Sequence, residues 1–554
     1  MGGLRQFFAC IDNFRVLRCN GQAAVLRSKT PPYSEVVVLR LTFAVALLFA
    51  LGFPAMSQTV RVEGGEISGT TAFDPNVRVY KGVPFAAPPV GNLRWRDPRP
   101  VPAWQGVKQT TEFSPMCMQR DRPKDSYHTP DILPVSEDCL YLNVWTPAKS
   151  AADRLPVMVY IHGGGFAVSS GIEKWFNGDH LAEKGVVVVT INYRLGVFGF
   201  LAHPELTRES EHHTSGNYGM LDQIYALKWV QRNIAAFGGD PKRVTIFGQS
   251  AGSESVCMDM ATPLAKGLYI RAIAESVGCF GPFTPEPKLP AAEQEGVQFM
   301  QDAKVASVAD LRAMPAEQLQ SIRTQVRFRP IIDGYFLPAD PSTIYSKNQE
   351  NIVPVILGSN SDEGLLMGPA PESLAAYLQK TKQMYGEKAD SFLKIYPASN
   401  DAEAREDAYT IGRDQIAWQA RFWADLVSRG KAATYRYYFS HVPPVPDGVF
   451  REQKIHPLGA FHQAEIVYVF GTLDTRNWMW TDTDRKLSGV MMAYWTNFAK
   501  TGDPNGANLP KWIPSDPEND VVMGFGDMIG MRPGPSKAAL AFWDSFYSTG
   551  SPAD

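Results

Sequence analysis

Residues 244–255, VTIFGQSAGSES, restrict the fold of this chain more than any other segment. The β-branched and aromatic residues at 244–247 predict a buried strand, and the residues after Ser250 predict a helix. Gly248 and Gly252 let the backbone turn tightly between the two. A serine flanked by glycines at a strand-to-helix turn is the pattern of a nucleophile elbow. A glycine-rich turn without a chemical role is the alternative, because it can have the same sequence pattern.

The segments around this elbow alternate between strand and helix patterns. LPVMVYI and GVVVVTI are continuous apolar runs, which are typical of strands covered on both faces. Residues 219–239 repeat apolar side chains at helical spacing, and IRAIAES follows the elbow as a further strand. This alternation predicts an α/β fold with a large, mostly parallel central sheet flanked by helices. Residues 284–325 and 371–431 have charged helical patterns and are expected to be helical insertions over the sheet.

Residues 1–57 are expected to be an N-terminal extension and signal peptide, which leaves 58–554 as one folded domain. Residues 41–53 form an apolar run that is shorter than the roughly 20 residues needed to span a bilayer. Small residues at Ala55 and Ser57 suit cleavage after Ser57, so the run is interpreted as the apolar region of a signal peptide. A short membrane anchor is the alternative. We therefore expect export to the periplasm or the medium, without a stable membrane anchor after cleavage.

The charge and cysteine content narrow the classes of function. The formal net charge is −3 and no long basic stripe occurs, which argues against a nucleic-acid partner. The predicted mature chain has four cysteines: Cys117, Cys139, Cys257 and Cys279. Export permits disulfides, and four cysteines allow three pairings among which the sequence does not choose. The adjacent histidines of HPELTRESEHH are attributed to an exposed loop rather than to a metal site.

The segment YIHGGGFA, residues 160–167, lies upstream of the elbow and offers hydrogen-bond donors for an oxyanion. Glycines after a strand let backbone N–H groups approach a ligand closely, as in the oxyanion holes of esterases. The predicted donors are the N–H groups of Gly164, Gly165 and Ala251, the last of which begins the helix after the nucleophile. A plain glycine turn is the alternative.

A serine nucleophile needs a base, and in this fold an acid and a histidine follow the serine in the chain. Asp362 and Glu363 come directly after the predicted strand of VPVILGSN, and either could supply the acid. The histidines after them are His441, His456 and His462. His462 fits a buried and oriented base best, because it lies between a glycine and an apolar run, while His456 stays an alternative.

Several longer motifs carry a resemblance to a known family. In chain order they are YKGVPFAAPPVGNLRW, SEDCLYLNVWTP, YIHGGGF, INYRLGVFGFL, GNYGMLDQIYALKWVQRNIAAFGGDPKRVTIFGQSAG, SDEG, HQAEIVYVFG and YWTNFAKTGDPN. The chain resembles the type-B carboxylesterases, of the cholinesterase/carboxylesterase family in the α/β-hydrolase superfamily. The resemblance covers nearly all of residues 60–550.

The resemblance implies an α/β-hydrolase fold and a role for each matching residue. It implies a catalytic triad of Ser250, Glu363 and His462, with Asp362 as the second choice for the acid. It implies an oxyanion hole built from the three N–H groups named above and a disulfide between Cys117 and Cys139. It also implies two structural ion pairs, Arg94 with Glu137 and Arg194 with Asp222.

The chain departs from the family at three places. Gln249 precedes the serine where the family usually has Glu, and Tyr127 is the aromatic candidate where cholinesterases carry a Trp for quaternary ammonium. These departures weaken the case for a cationic substrate. The usual second disulfide loop has no counterpart in 284–325, so Cys257 and Cys279 are expected to be free, buried core residues rather than an unusual pair.

These patterns together predict hydrolysis of small-molecule carboxylic esters through an acyl-enzyme, without a metal or cofactor. A catalytically inactive binding protein is one alternative, and hydrolysis of amide, thioester or lactone bonds is another. The presence of Ser250, Glu363 and His462 argues against the inactive protein. The acyl and alcohol preferences and the oligomeric state are left open by the sequence.

Overall fold

A computed structural model describes residues 59–127, 134–281, 287–367 and 370–548, and the predicted signal peptide lies outside these residues. Within them, eleven strands form one large sheet in the order β16-β15-β14-β13-β12-β11-β9-β10-β8-β4-β3. In this order, all neighbours from β15 to β10 pair in parallel. The strands at the two edges, β16 on one side and β8, β4 and β3 on the other, pair antiparallel. The predicted mostly parallel α/β-hydrolase sheet is therefore confirmed.

The strands of the large sheet are β3 (Thr70–Thr71), β4 (Arg78–Pro84), β8 (Tyr141–Thr146), β9 (Leu155–Ile161), β10 (Val187–Ile191), β11 (Gly239–Gln249), β12 (Arg271–Glu275), β13 (Val355–Asn360), β14 (Thr434–Phe439), β15 (Val521–Phe525) and β16 (Ile529–Pro533). A small sheet joins β1 (Thr59–Val62), β2 (Gly65–Ser68) and β5 (Val107–Gln109), and β6 (Met116–Cys117) pairs with β7 (Val135–Ser136). Every residue of the central strand β10 is buried, which explains its unbroken β-branched sequence.

The α-helices of the described residues are α1 (Asp179–Ala182), α2 (Gly196–Phe200), α3 (Pro204–Glu209), α4 (Tyr218–Asn233), α5 (Ala251–Ala261), α6 (Leu289–Ala303), α7 (Val308–Ala313), α8 (Ala316–Ser321), α9 (Pro341–Ser346), α10 (Leu374–Tyr385), α11 (Ala389–Leu393), α12 (Asp401–Arg429), α13 (Ile466–Phe470), α14 (Asp482–Thr501) and α15 (Lys537–Ser548). Single 3₁₀ turns occupy Gly91–Leu93, Lys174–Phe176, Ile234–Phe237, Pro263–Ala265, Glu363–Met367, Gly386–Lys388, Arg451–Lys454 and Leu473–Thr475. None of the helices in the described part of the chain has the length and apolarity needed to cross a membrane.

Parallel pairing brings the carboxyl ends of the central strands to one edge of the sheet. Strand β11 ends at Gln249, directly before the elbow, and β13 ends at Asn360, two residues before Asp362. Open α/β sheets bind ligands outside this edge, because the loops that follow the strands converge there. The fold therefore gathers residues that lie far apart in the chain at one site.

Two buried ion pairs implied by the resemblance are present and join distant segments. Arg94 contacts Glu137 through two nitrogens at 2.6 and 2.5 Å. Arg194 contacts both carboxylate oxygens of Asp222 at 2.7 Å. Two-point pairing of this kind fixes the orientation of a guanidinium. Both pairs are structural, because they hold loops around the sheet.

Candidate active site

Ser250 lies at a strained turn between β11 and α5. Its backbone has φ 59° and ψ −126°, a conformation that is uncommon for any residue with a side chain. The Ser250 N–H donates to the Glu275 carbonyl at 2.9 Å, which anchors the turn to the neighbouring strand. The turn therefore has the shape of the predicted nucleophile elbow, and Ser250 is the residue directly before helix α5.

The two glycines beside Ser250 allow the backbone segments to approach closely. A Cβ on Gly248 would lie 2.5 Å from the Gly252 carbonyl oxygen, and a Cβ on Gly252 would lie 2.0 Å from the Ile161 oxygen. Both distances are far below van der Waals contact. The glycines are thus required by packing between the elbow and strand β9, and neither has a positive φ.

Glu363 and His462 meet in the buried interior at the same sheet edge. His462 Nδ1 lies 2.6 Å from Glu363 Oε2, and both side chains are almost completely buried. Gln249 Nε2 lies 3.2 Å from the other ring nitrogen, His462 Nε2. A neutral imidazole fits both contacts, since Nδ1–H donates to the carboxylate while Nε2 accepts from the amide.

The second oxygen of Glu363 is held by groups that the sequence motifs did not reveal. Ser276 Oγ donates to Glu363 Oε1 at 2.6 Å, and the Asn360 N–H donates to the same oxygen at 2.9 Å. Ser276 has a positive φ of 56°. These two donors orient the carboxylate toward His462. They were missed because each lies at the end of a separate predicted strand, where the sequence pattern indicates a strand but no chemical role.

Asp362, the alternative acid, has a different task. Its Oδ2 accepts from the Ala460 N–H at 2.8 Å, and its own N–H donates to the Ala460 carbonyl at 3.2 Å. These contacts attach the loop before His462 to the end of strand β13. These two neighbouring acids thus have different roles: Asp362 positions the loop, and Glu363 contacts the imidazole.

Two further carboxyl groups are buried behind His462. Burial raises the pKa of Glu465 to about 7, and the nearby Glu363 carboxylate adds to that rise. Asn360 Nδ2 donates to Glu465 Oε2 at 2.5 Å. Burial, followed by the proximity of Glu465, raises the pKa of Glu275 well above its usual range. The base therefore lies against a buried, acidic interior in which burial disfavours the ionised form of these carboxyl groups.

The glycine loop after strand β9 presents unused N–H groups beside Ser250. Gly164 and Gly165 have φ of 98° and 62°, which favours glycine at both. The Gly164 carbonyl accepts from Val168 N at 3.2 Å, which closes the loop. Neither these glycines nor Ala251 donates a backbone hydrogen bond to another residue that the structure describes. The three predicted oxyanion donors are therefore free to bind a ligand atom.

Buried aromatic and amide groups hold this loop in place. His162 stacks on Tyr193 with ring centroids 4.3 Å apart, and its Nδ1 lies 2.9 Å from the Gly163 carbonyl. Burial lowers the pKa of His162 to about 4, so it is neutral near pH 7. Gln119 spans the Cys117 and Ser169 carbonyls at 3.0 Å each, which ties the first disulfide segment to the loop.

The other two candidate histidines lie outside this constellation. His456 Nε2 contacts Glu406 at 3.1 Å near the surface, and its ring packs on Tyr409. His441 Nε2 contacts Asp484 at 2.8 Å. Neither contacts Glu363, so the geometry brings only His462 to the acid among the described histidines.

The expectation for Cys257 and Cys279 was wrong. The structure contains the Cys117–Cys139 disulfide and also a Cys257–Cys279 disulfide, each closing a separation of 22 residues. Cys257 lies on α5, and Cys279 lies just beyond strand β12. Because α5 packs beside the end of β12, their Cα atoms come within 5.7 Å, a separation that suits a disulfide.

A family model for the carboxylesterase family matches residues 56–543. The chain belongs to the carboxylesterase family. This esterase is 34% identical to the fumonisin B1 esterase of Sphingopyxis macrogoltabida over 94% of this chain and 98% of that relative. It is 36% identical to carboxylesterase 1E of Mus musculus over 88% of this chain and 92% of that relative. The bile salt-activated lipase of Homo sapiens is 34% identical, over 93% of this chain and 72% of its own length.

Family membership and these relatives identify the protein as a carboxylic-ester hydrolase. Ester hydrolysis is the reaction for which the elbow serine, the buried histidine–glutamate pair and the free N–H groups are suited. Among the residues that the structure describes, no group of three or more His, Cys, Asp or Glu side chains is placed to hold a metal ion.

Proposed function

We propose that this esterase cleaves its substrates through a Ser250 acyl-enzyme with His462 as the base. The Ser250 Oγ attacks the ester carbonyl carbon, and its proton passes to His462 Nε2. Collapse of the tetrahedral intermediate expels the alcohol, which takes that proton from His462. Water then attacks the acyl-enzyme with the same histidine as base, and the acid is released from Ser250.

Glu363 is proposed as the acid of the triad. The observation that carries the proposal is the 2.6 Å contact between Glu363 Oε2 and His462 Nδ1 in a fully buried setting. A carboxylate there keeps the proton on Nδ1, so that Nε2 is the unprotonated nitrogen that accepts the serine proton, and it stabilises the imidazolium that forms. Ser276 and Asn360 act as positioning residues, since they hold the far oxygen of that carboxylate.

The negative oxygen of each tetrahedral intermediate is proposed to lie among the N–H groups of Gly164, Gly165 and Ala251. Ala251 begins helix α5, whose N-terminal dipole favours negative charge. Each such donor typically contributes a factor of about 10² to 10³ in rate. The glycine loop supports the assignment, because neither Gly164 nor Gly165 donates a backbone hydrogen bond to another residue that the structure describes.

The test is covalent labelling of the serine together with its substitution. Phenylmethylsulfonyl fluoride is expected to add once to the wild-type protein, at Ser250 in a mass-spectrometric digest. Ser250→Ala is expected to lose the label and about 10⁶ in kcat on p-nitrophenyl acetate, with an unchanged melting temperature. Labelling at another serine, or more than a few per cent of residual activity, contradicts the assignment.

We also propose that the esterase is exported and matures near Gln58. Two disulfides support this, because they persist in oxidising compartments. N-terminal sequencing of secreted protein is expected to begin near Gln58, and a non-reduced digest is expected to contain both cystine peptides. A mature chain that still carries residues 1–40 would overturn the proposal.

A further inference from the structure

A cavity of about 570 Å³ begins at the proposed oxyanion loop. Gly165, Phe166 and Ala167 form one wall, and Glu254 forms another. Glu254 lies one helical turn after Ser250, and its N–H donates to the Ser250 carbonyl at 2.9 Å. A substrate whose ester reaches Ser250 therefore extends its remaining atoms into this cavity.

The far walls of the cavity are rich in arginine. Four arginines line it: Arg120, Arg122, Arg327 and Arg329. The lining also includes two acids, Asp121 and Glu254. Arg329 is neutralised by Glu295, with the closest atoms 3.2 Å apart. Among the residues that the structure describes, no carboxylate forms an ion pair with any of the other three. The cavity thus presents uncompensated positive charge, although the whole chain has a net charge of −3.

Backbone contacts hold one of these cations in place without neutralising it. Arg120 donates to the Gln320 carbonyl at 3.2 Å and to the Ile322 carbonyl at 2.7 Å. Burial, followed by the nearby Arg451, lowers the pKa of the half-buried Arg122, but a guanidinium is basic enough to keep its charge. A second cavity shares Arg120 and Arg327 and adds Arg323, so the basic lining continues outward.

Much of the remaining lining is apolar and includes Phe166, Val168, Val197, Phe299, Leu319 and Phe328. Arg120 and Arg327 also line the second cavity, which does not include the oxyanion loop, so these arginines lie away from that loop. A ligand that fits this lining has an ester at the end near Ser250, an apolar chain, and an anion at the arginine end. Glu254 disfavours the reverse orientation, since it lines the cavity one helical turn after Ser250 and its carboxylate repels a second negative group there.

We propose that the substrates of this esterase carry a carboxylate, bound by Arg122 and Arg327, on an apolar chain that separates it from the scissile ester. The inference rests on the proposed function, because it takes Ser250 as the reacting end. A planar carboxylate suits a guanidinium, which can donate two parallel N–H bonds to it. The carboxylate can belong to the acid part or to the alcohol part of the ester, and the experiment distinguishes these two sources.

The experiment compares matched charged and neutral esters. For the acid part the pair is mono-p-nitrophenyl adipate and its methyl ester; for the alcohol part it is 3-acetoxybenzoate and its methyl ester. The measured quantity is the ratio of kcat/KM for the charged ester to kcat/KM for the neutral one. We expect that ratio to exceed one in at least one pair, and to fall as salt screens the arginines.

The arginine variants then assign the preference to the cavity. Arg122→Gln with Arg327→Gln is expected to lower the charged-to-neutral ratio about tenfold, mainly through KM, as expected for the loss of charge-assisted hydrogen bonds. Arg429→Gln is the matched control, because Arg429 is an exposed arginine that lines neither cavity. It removes the same charge as either single substitution and is expected to keep the wild-type ratio.

The outcomes separate the two proposals. Hydrolysis of the neutral esters without a preference in either pair overturns the carboxylate inference and leaves Ser250 chemistry intact. A preference that survives both arginine substitutions, or that Arg429→Gln abolishes equally, also overturns it. Activity that remains in Ser250→Ala contradicts the proposed function instead. If the double variant fails to fold, each single variant is tested, with an expected loss of about threefold.

Discussion

The two halves of the catalytic constellation are built in different ways. The nucleophile half lies within five consecutive residues, Gly248 to Gly252, and its shape comes from backbone packing against strand β9. The acid–base half joins Glu363 and His462, which are 99 residues apart. Its shape comes from hydrogen bonds that connect the ends of β12 and β13 with the loop before α13.

This difference predicts different kinds of sensitivity. Backbone atoms hold the nucleophile half, so a single added carbon there disturbs the fold itself. Side chains hold the acid–base half, so substitutions there remove chemistry or change the pH dependence while the fold persists. The predictions below test this contrast, from the largest expected effect to the smallest.

His462→Gln is expected to lower kcat about 10⁶-fold, since loss of the base costs as much as loss of the whole triad. The melting temperature is expected to change little, because glutamine can still donate to Glu363. His456→Gln is the matched control and is expected to keep activity within about twofold, since His456 contacts Glu406 and Tyr409 and does not contact Glu363. An inactive His456→Gln together with an active His462→Gln would reverse the assignment of the base.

Gly252→Ala is expected to destabilise the protein by about 3 kcal/mol and to abolish activity, because its Cβ would lie 2.0 Å from the Ile161 oxygen. Gly489→Ala on helix α14 is the control. A Cβ at Gly489 has nothing within 4 Å, so helix propensity alone predicts a gain of about 0.5–1 kcal/mol. Urea unfolding measures both. Wild-type stability and activity in Gly252→Ala would show that the elbow tolerates a side chain.

The two disulfides close loops of equal length beside different parts of the site. Cys257–Cys279 ties the nucleophile helix to the end of β12, whereas Cys117–Cys139 lies near the oxyanion loop. On the chain-entropy model each pair stabilises by about 3 kcal/mol. Replacing both cysteines of either pair by alanine is therefore expected to lower the free energy of unfolding by that amount. A loss below about 1 kcal/mol for Cys257 and Cys279 would count against their bond.

Glu465→Gln is expected to flatten the dependence of stability on pH. The pKa of Glu465 is raised from 4.5 to about 7 in the folded protein, so between these values the folded state holds a proton that the unfolded chain has lost. The free energy of unfolding of the wild type therefore falls as pH rises through this window. Glutamine removes that dependence and makes the fall about 3 kcal/mol smaller.

Chemical unfolding at pH 4.5 and pH 8 measures this difference. Gln453→Glu, which adds a carboxyl group at a part-exposed position near the surface, is a control that is expected to leave the wild-type slope unchanged. Equal pH dependence of wild type and Glu465→Gln would mean that folding does not raise the pKa of Glu465.

Much of the fold and of the site could be predicted because short segments of the sequence carry the patterns that indicate them. Unbroken apolar runs mark strands covered on both faces, as in β10, and the glycine pattern marks the elbow. The resemblance supplied the pairing of Glu363 with His462. Ser276 and Asn360 were not predicted, because their donor role depends on where two different strands end.

The amino-acid sequence determined the elements and the reactive groups: the elbow serine, the glycine donors, the strand order along the chain and the family. The tertiary structure decided which distant groups meet. It brought Cys257 to Cys279, gave Asp362 and Glu363 different partners, and placed Arg122 and Arg327 around one cavity. The physical reason is the distance along the chain over which each interaction acts. Backbone conformation and burial pattern depend on neighbouring residues, whereas ion pairs, disulfides and cavity charge depend on distant side chains that only the packed sheet brings together.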